Sequence, residues 1–414
     1  MHARSNSRRL LACAVVALAT VAAGTAAAAA QQRPEHQAVA VVAAVLPTVS
    51  SSSHLSLPST SAVTWRAEAN SWPSDFFILD KAGCAPSLHC LAFGTLISGP
   101  PNNLYDVTYD ATSTSKIRPL RVVRGTLHQV FGVSCSSSMI CEAIGQNGSG
   151  NPTAARTTNG GATWQLQSLP ASELLVDQIE CFSSNDCLAI GLSNSRLGAS
   201  TLFTKNAGHH WAQGGYFDRA YYYVSDSDIP QDLQCVSSQV CFDSTGSLQK
   251  PGEFFETQNG GQTWALTYTA PGRSEEVGPS YCASQTRCVV LLQTESSNSS
   301  TSTSVPVWLT KTSAWTSQAG PKLVDRFGST MWCTSSDGAC VVTGFAEGKD
   351  IGRAEEIVKG ASGWKFQAVQ KEMGGIGSTL HCLSLSDCFA ISSITGEHQK
   401  EVVVTNRATT SSAK

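Results

Sequence analysis

Charge is what this chain has least of. Asp, Glu, Lys and Arg make up 14% of its 414 residues, no basic run occurs, and the formal net charge is −3. Phosphate binding needs a concentrated basic face, so no nucleic-acid partner is expected. Long amphipathic helical patterns are missing, whereas Ser, Thr, Gly and β-branched residues abound, which favours an all-β protein. The P-loop, the nucleophile elbow, the H-E-x-x-H helix and the C-x-x-C redox pair are all absent. Beyond the N-terminus no apolar run approaches the ~20 residues of a membrane-spanning helix.

The N-terminus reads as a targeting segment. Arg4, Arg8 and Arg9 precede the apolar stretch Leu10 to Ala23, and the alanines at 26–30 offer small residues for cleavage near Gln31. Residues 1–30 are therefore expected to be a signal peptide. A membrane anchor is the alternative, but the apolar stretch falls short of a span. Ser7-Arg8-Arg9-Leu10-Leu11 is a weak twin-arginine pattern, so the Sec and Tat routes both stay open. Residues 31–60 carry Ala, Val, Ser and Pro without a period and read as a linker. The mature protein is expected to be a monomer, secreted or held at the cell surface outside the cytoplasm.

Cysteine supplies the organising signal. Of the 15 cysteines, Cys13 leaves with the signal peptide. The rest form close pairs: Cys84 and Cys90, Cys135 and Cys141, Cys181 and Cys187, Cys235 and Cys241, Cys282 and Cys288, Cys333 and Cys340, Cys382 and Cys388. Successive first cysteines lie 51, 46, 54, 47, 51 and 49 residues apart. A period near 50 marks a propeller or solenoid repeat. Five or six intervening residues suit a hairpin whose strands face each other at the cysteines. They are too many for a zinc knuckle, and an exported chain with paired cysteines should be oxidised. Each small loop is worth about 2 kcal/mol of chain entropy, so the expected role is local, to pin hairpin register.

A second motif follows the cysteine pairs. It reads Thr157-Thr158-Asn159-Gly160-Gly161-Ala162-Thr163-Trp164 in one unit and Thr257-Gln258-Asn259-Gly260-Gly261-Gln262-Thr263-Trp264 in another. A third copy runs Thr204-Lys205-Asn206-Ala207-Gly208-His209-His210-Trp211, and degenerate copies end at Trp315 and Trp364. Asn-Gly and Gly-Gly supply the positive-φ residues that a tight hairpin demands. These segments resemble the Asp-box, or BNR, repeat (Ser/Thr-x-Asp-x-Gly-x-Thr/Ser-Trp) with Asn in place of Asp. In that family the box links the third and fourth strands of a propeller blade.

The resemblance implies four strands per unit. In the second unit these are Leu127 to Cys135, Cys141 to about Gln146, Thr153 to Thr157, and Thr163 to Leu169. The last unit has a strand Glu401 to Thr405 and then lacks a fourth, whereas Val63-Thr64-Trp65 is a fourth strand without a box before it. Joining them gives a seven-bladed β-propeller over residues 61–407, closed by its N-terminal strand, with 408–414 a disordered tail.

Chemistry is harder to find. The Asp-box resemblance brings sialidases to mind, whose Arg-Ile-Pro segment has only Ile117-Arg118-Pro119 as a counterpart, in the wrong order. No catalytic residue is therefore carried over, and no cofactor or metal is expected. Paired carboxylates for another glycosidase are not identifiable, although Asp177, Glu180, Glu275 and Glu276 lie in loops or strand starts. One insertion stands out: Tyr216, Phe217, Tyr221, Tyr222 and Tyr223, followed by Asp226, Asp228 and Asp232. Long aromatic loops often bind, but alternating aromatics also pack between sheets, and the acidic spacing fits no calcium loop. His209 and His210 sit in a box turn and should be exposed. Propellers of the photosystem II assembly type resemble the box pattern too, with nothing here indicating a photosynthetic partner. The expected function is a non-catalytic, extracytoplasmic binding module for an unknown protein or glycan. The alternative is a secreted glycoside hydrolase, sialidase-like, or a lyase with an unrecognised site.

Overall fold

The structure is a computed structural model. It describes residues 64–406 apart from 68–75, 79–82, 86–88, 97–104, 111–115, 120–126, 172, 194–197, 218–231, 246–250, 273–274, 296–301, 325, 335–337, 347–350, 370–372 and 395–399. All described residues belong to one compact unit, Ser59–Lys414. The expected signal peptide, the linker and the tail at 408–414 lie outside the described residues. Every element among the described residues is a β-strand.

Numbering the repeats one to seven by their cysteine pairs, unit 2 shows the common plan. Its strands are Leu127–Cys135, Cys141–Asn147, Pro152–Thr157 and Gln165–Ser168, each antiparallel to its sequence neighbour. In the second and third strands consecutive residues are buried on both faces, while the fourth is partly exposed along its length. Strands covered on both sides lose the apolar–polar alternation that a solvent-facing sheet keeps. Units 3 and 4 are likewise four-stranded sheets, and units 1 and 5 each add one short strand.

Units 6 and 7 form one eight-stranded sheet through Thr64–Ala67. This strand pairs parallel with Lys365–Val369 of unit 6 and antiparallel with Lys400–Thr405 of unit 7, placing Arg66 opposite Thr405 and Ala67 opposite Val404.

The cysteines of each pair are direct cross-strand partners. All seven pairs are disulfide-bonded, with Cα atoms 3.9 to 4.1 Å apart. Such a density of disulfides fits an oxidising, extracytoplasmic compartment.

The hydrophobic core lies between units. Ala143 and Ala155 pack into a cluster with Leu91 and Phe93 of unit 1, whereas their chain neighbours Ile144 and Ala154 pack into one with Val176 and Leu202 of unit 3. Adjacent residues of a strand point to opposite faces, so one strand serves two cores. The same division recurs from unit 3 to unit 7.

Candidate functional site

The Thr-Asn-Gly-Gly segments fold as the expected hairpin turns between third and fourth strands, and their polar groups serve the turn itself. In unit 2, Thr157 Oγ1 donates to Asn159 Oδ1 and accepts from the Gly161 N–H, both at 2.9 Å. Asn159 Oδ1 also accepts from the Thr163 N–H and its Nδ2 donates to Thr163 Oγ1, again at 2.9 Å. Thr257, Asn259, Gly261 and Thr263 repeat the set at 2.9 to 3.0 Å. Thr204, Asn206 and Gly208 keep it at 2.9 to 3.0 Å, with His210 offering only its backbone N–H. Each turn is also tied to the cysteine-closed turn of its own unit, through Gly160 N to Met139 O, Ala207 N to Asn185 O and Gly260 N to Gln239 O.

The tryptophan ending each turn packs backwards onto the preceding unit. Trp164 meets Phe93 of unit 1 with ring centroids 5.1 Å apart. Trp211 lies against Ile144 and Ala154 of unit 2 and donates its indole N–H to Gln167 Oε1 at 3.1 Å. Trp264 stacks on Phe217 at 4.4 Å. The degenerate copies act alike: Trp315 meets Phe242 of unit 4 at 5.9 Å, and Trp364 donates to Pro321 O at 2.9 Å. Trp164 and Trp211 are thus buried core residues, and Trp264, Trp315 and Trp364 are half-buried against the core.

Sequence reasoning missed a set of charged and polar ties between units. Glu142, 1% exposed, pairs with Arg156 at 3.1 Å, and the same guanidinium donates to Ser184 O of unit 3 at 2.6 Å. Burial pushes the Glu142 carboxyl from its usual 4.5 to about 8, against the pull of Arg156. Glu256 of unit 4 accepts from Lys311 at 2.7 Å and from the Trp315 indole at 3.0 Å, both in unit 5. Along the first strands, Ser134 Oγ accepts the Cys181 N–H and Gln234 Oε1 the Cys282 N–H, each at 2.9 Å. Gln178 Oε1 accepts the Leu233 N–H at 2.7 Å. The one legible signal for these residues was a Glu or Arg inside an otherwise apolar strand, where an unpaired charge would be costly.

Asp232 and Asp243 meet within unit 4. Asp243 Oδ1 accepts backbone N–H groups from Asp232 at 3.0 Å and Ser244 at 2.7 Å, and burial holds its carboxyl well above the usual range. Asp232 in turn accepts the Ser280 backbone N–H and, at 2.8 Å, the Ser280 hydroxyl. Asp177 lies on the strand Glu173–Cys181 with Glu180, whereas Glu275 and Glu276 open the strand Glu275–Ser284 of another unit. No cluster of three or more His, Cys, Asp or Glu suited to a metal occurs among the described residues.

The aromatic insertion divides. Phe217 is buried against Phe255 and Trp264 in the core between units 3 and 4. Tyr216 is half-buried, and its hydroxyl accepts from Gln213 at 2.7 Å. Tyr221, Tyr222, Tyr223, Asp226 and Asp228 lie outside the described residues. His209 and His210 are exposed.

One cavity of about 240 Å³ opens between units 5 and 6, lined among others by Tyr281, Arg287, Trp308, Thr310, Thr334 and Lys359. Trp308 donates its indole N–H to Gly338 O at 3.4 Å, and Lys359 Nζ lies 3.4 Å from Thr310 Oγ1. Burial pushes the Tyr281 hydroxyl up from its usual 10.0, so it remains a neutral donor.

Antiparallel sheets stacked through their faces, with hydrophobic cores between them, suit a β-propeller, and solved structures show that fold. No known protein family matches the chain, and no curated protein does. Among solved structures it is similar to "YCF48 bound to D1 peptide", with a TM-score of 0.54 at 15% identity over 83% of this chain and 97% of that one. Hydrazine synthase from Kuenenia stuttgartiensis gives 0.53 at 9% identity, covering 76% and 92%. A GH74 xyloglucanase from Xanthomonas campestris gives 0.51 at 11% identity, covering 82% of this chain and 55% of the xyloglucanase. At such identities the likeness is one of fold alone. Among the described residues no helix is long and apolar enough to cross a membrane.

Proposed function

We propose that the chain is an exported, seven-bladed propeller that acts as a non-catalytic binding module for a protein or glycan. In this reading the cysteine-closed units are the blades, the Thr-Asn-Gly-Gly turns are Asn variants of the Asp-box, and Thr64–Ala67 is the last blade's fourth strand. The observation that carries it is the employment of the polar side chains. Ser134, Glu142, Arg156, Gln167, Gln234, Glu256 and Lys311 are each bonded to a neighbouring unit or to a residue that is. A scaffold of repeated units needs such ties; a hydrolase needs carboxylates facing a substrate.

A glycoside hydrolase is the second reading, favoured by one observation. A carboxyl with a pKa of about 8 at Glu142 would be protonated at neutral pH, as a general acid must be. Its 1% exposure and its bond to Arg156 argue against substrate contact.

The test is to probe the mature, oxidised protein on glycan and peptide arrays, and to incubate each retained ligand with it. Retention without turnover is expected. Cleavage of a retained glycan, abolished by substituting one carboxylate, would overturn the binding-module reading in favour of the hydrolase.

A further inference from the structure

We infer that the cavity between units 5 and 6 is a binding site for a single carboxylate-bearing sugar ring, a hexuronate; this deepens the binding-module reading and rests on it. The repeat provides the internal comparison. Across the hairpin from the residue after the second cysteine, unit 2 has Arg156, unit 4 Glu256 and unit 6 Glu356, which lie 3.1, 2.7 and 3.6 Å from Glu142, Lys311 and Lys365. Unit 5 has Trp308 there, facing Val289, as unit 3 has Phe203 facing Leu188, so neither hairpin places a charge at this position. The residue before the first cysteine in units 2 and 4, Ser134 or Gln234, accepts the next unit's cysteine N–H. In unit 5 that position is Tyr281, which instead leans on Trp332 with centroids 5.9 Å apart.

Into this junction the fold brings two cations, Arg287 and Lys359, both exposed at the cavity wall. Among the described residues, none lining the cavity is acidic and neither cation forms an ion pair. Two such cations beside partly desolvated aromatics favour an anion. The remaining wall is mixed: Tyr281 and Trp308 supply rings, and Thr310 and Thr334 supply hydroxyls that also meet Lys359 Nζ at 3.4 Å and Ala339 O at 3.3 Å. An apolar ring edge with hydroxyl partners suits a sugar better than a hydrocarbon acid. At about 240 Å³ the space falls below the roughly 300 Å³ where drug-sized pockets begin, so it holds one ring.

The test is titration calorimetry with saturation-transfer NMR on the mature oxidised protein. The probes are methyl β-glucuronide, its neutral counterpart methyl β-glucoside, and N-acetyl-glutamate amide, which carries a carboxylate without a ring. The glucuronide should bind at least about tenfold more tightly than either, the worth of one charge-assisted contact. Arg287→Gln with Lys359→Gln should remove that preference without moving the melting temperature, because both side chains are exposed. The site is overturned if the glucuronide does not bind, if the glucoside binds as well, or if the double variant binds unchanged. Equal binding of the glutamate amide would also overturn it, assigning the cavity to an acidic peptide side chain. Array ligands retained equally by the double variant would sink this site and leave the binding-module reading standing.

Discussion

Glu142 is the residue at which burial and charge conflict most openly. Its carboxyl is raised from 4.5 to about 8, so between those values the folded chain holds a proton that the unfolded chain has released. The unfolded state then binds fewer protons, and the stability contributed by this group falls as pH rises across that window. Glu142→Gln removes the titration. The variant's melting temperature relative to the parent should climb from pH 5 to pH 8; a constant offset would show that Glu142 is ionised throughout. Ala207 offers a second residue-scale check. It holds φ 62 where the equivalent turn positions are Gly160 at 62 and Gly260 at 66. A side chain there costs roughly 1 kcal/mol. Ala207→Gly should therefore be neutral or stabilising, and Gly160→Ala should destabilise by about 1 kcal/mol in thermal unfolding. Only the positions were legible beforehand, a Glu inside an apolar strand and an Ala where the other turns carry Gly; neither the burial of the one nor the φ of the other could be read from them.

At the scale of the element, the turns were the most readable part of the chain. Thr157, Asn159, Gly161 and Trp164 sit in the hairpin expected of them, and the strands Leu127–Cys135 and Cys141–Asn147 match the sequence reading to within a residue. Local chemistry specifies both: positive-φ glycines and a side chain that caps its own backbone. Asn159→Asp should melt close to the parent, because Asp keeps the acceptor for Thr157 and Thr163 and the Thr163 hydroxyl can reverse its bond. Asn159→Ala removes the bonds to Thr157 and Thr163 and, with water able to replace them at this exposed turn, should cost about 1 kcal/mol; equal melting of the two variants would refute the capping role. Reduction of the disulfides should lower the melting temperature as well, and unchanged melting would dismiss their part in fixing register. What stayed illegible was every contact crossing between units, such as Arg156 to Ser184 O, since it joins residues whose proximity only the stacking creates.

The whole molecule poses the question of closure. Gln167 lies three residues after Trp164 and accepts the indole N–H of Trp211 in the next unit at 3.1 Å. Gln367 lies three residues after Trp364 and accepts the indole N–H of Trp65 at 2.7 Å. Trp65 thus stands to unit 6 as Trp211 stands to unit 2, the relation that the proposed closure by the N-terminal strand requires. Fully buried, it joins Leu380, Ala390 and Val404 in one core with Val341 and Ala354. Contacts also run from unit 7 to unit 1, where Phe76–Ile78 lies beside Lys400–Thr405. The measurement that tests this most directly is the thermal unfolding of the chain from residue 31 onward, with and without residues 60–70. A ring closed by its N-terminal strand predicts that the truncated chain melts far lower, in units 1 and 2 as well as in 6 and 7. A truncated chain that melts as the parent does would contradict it.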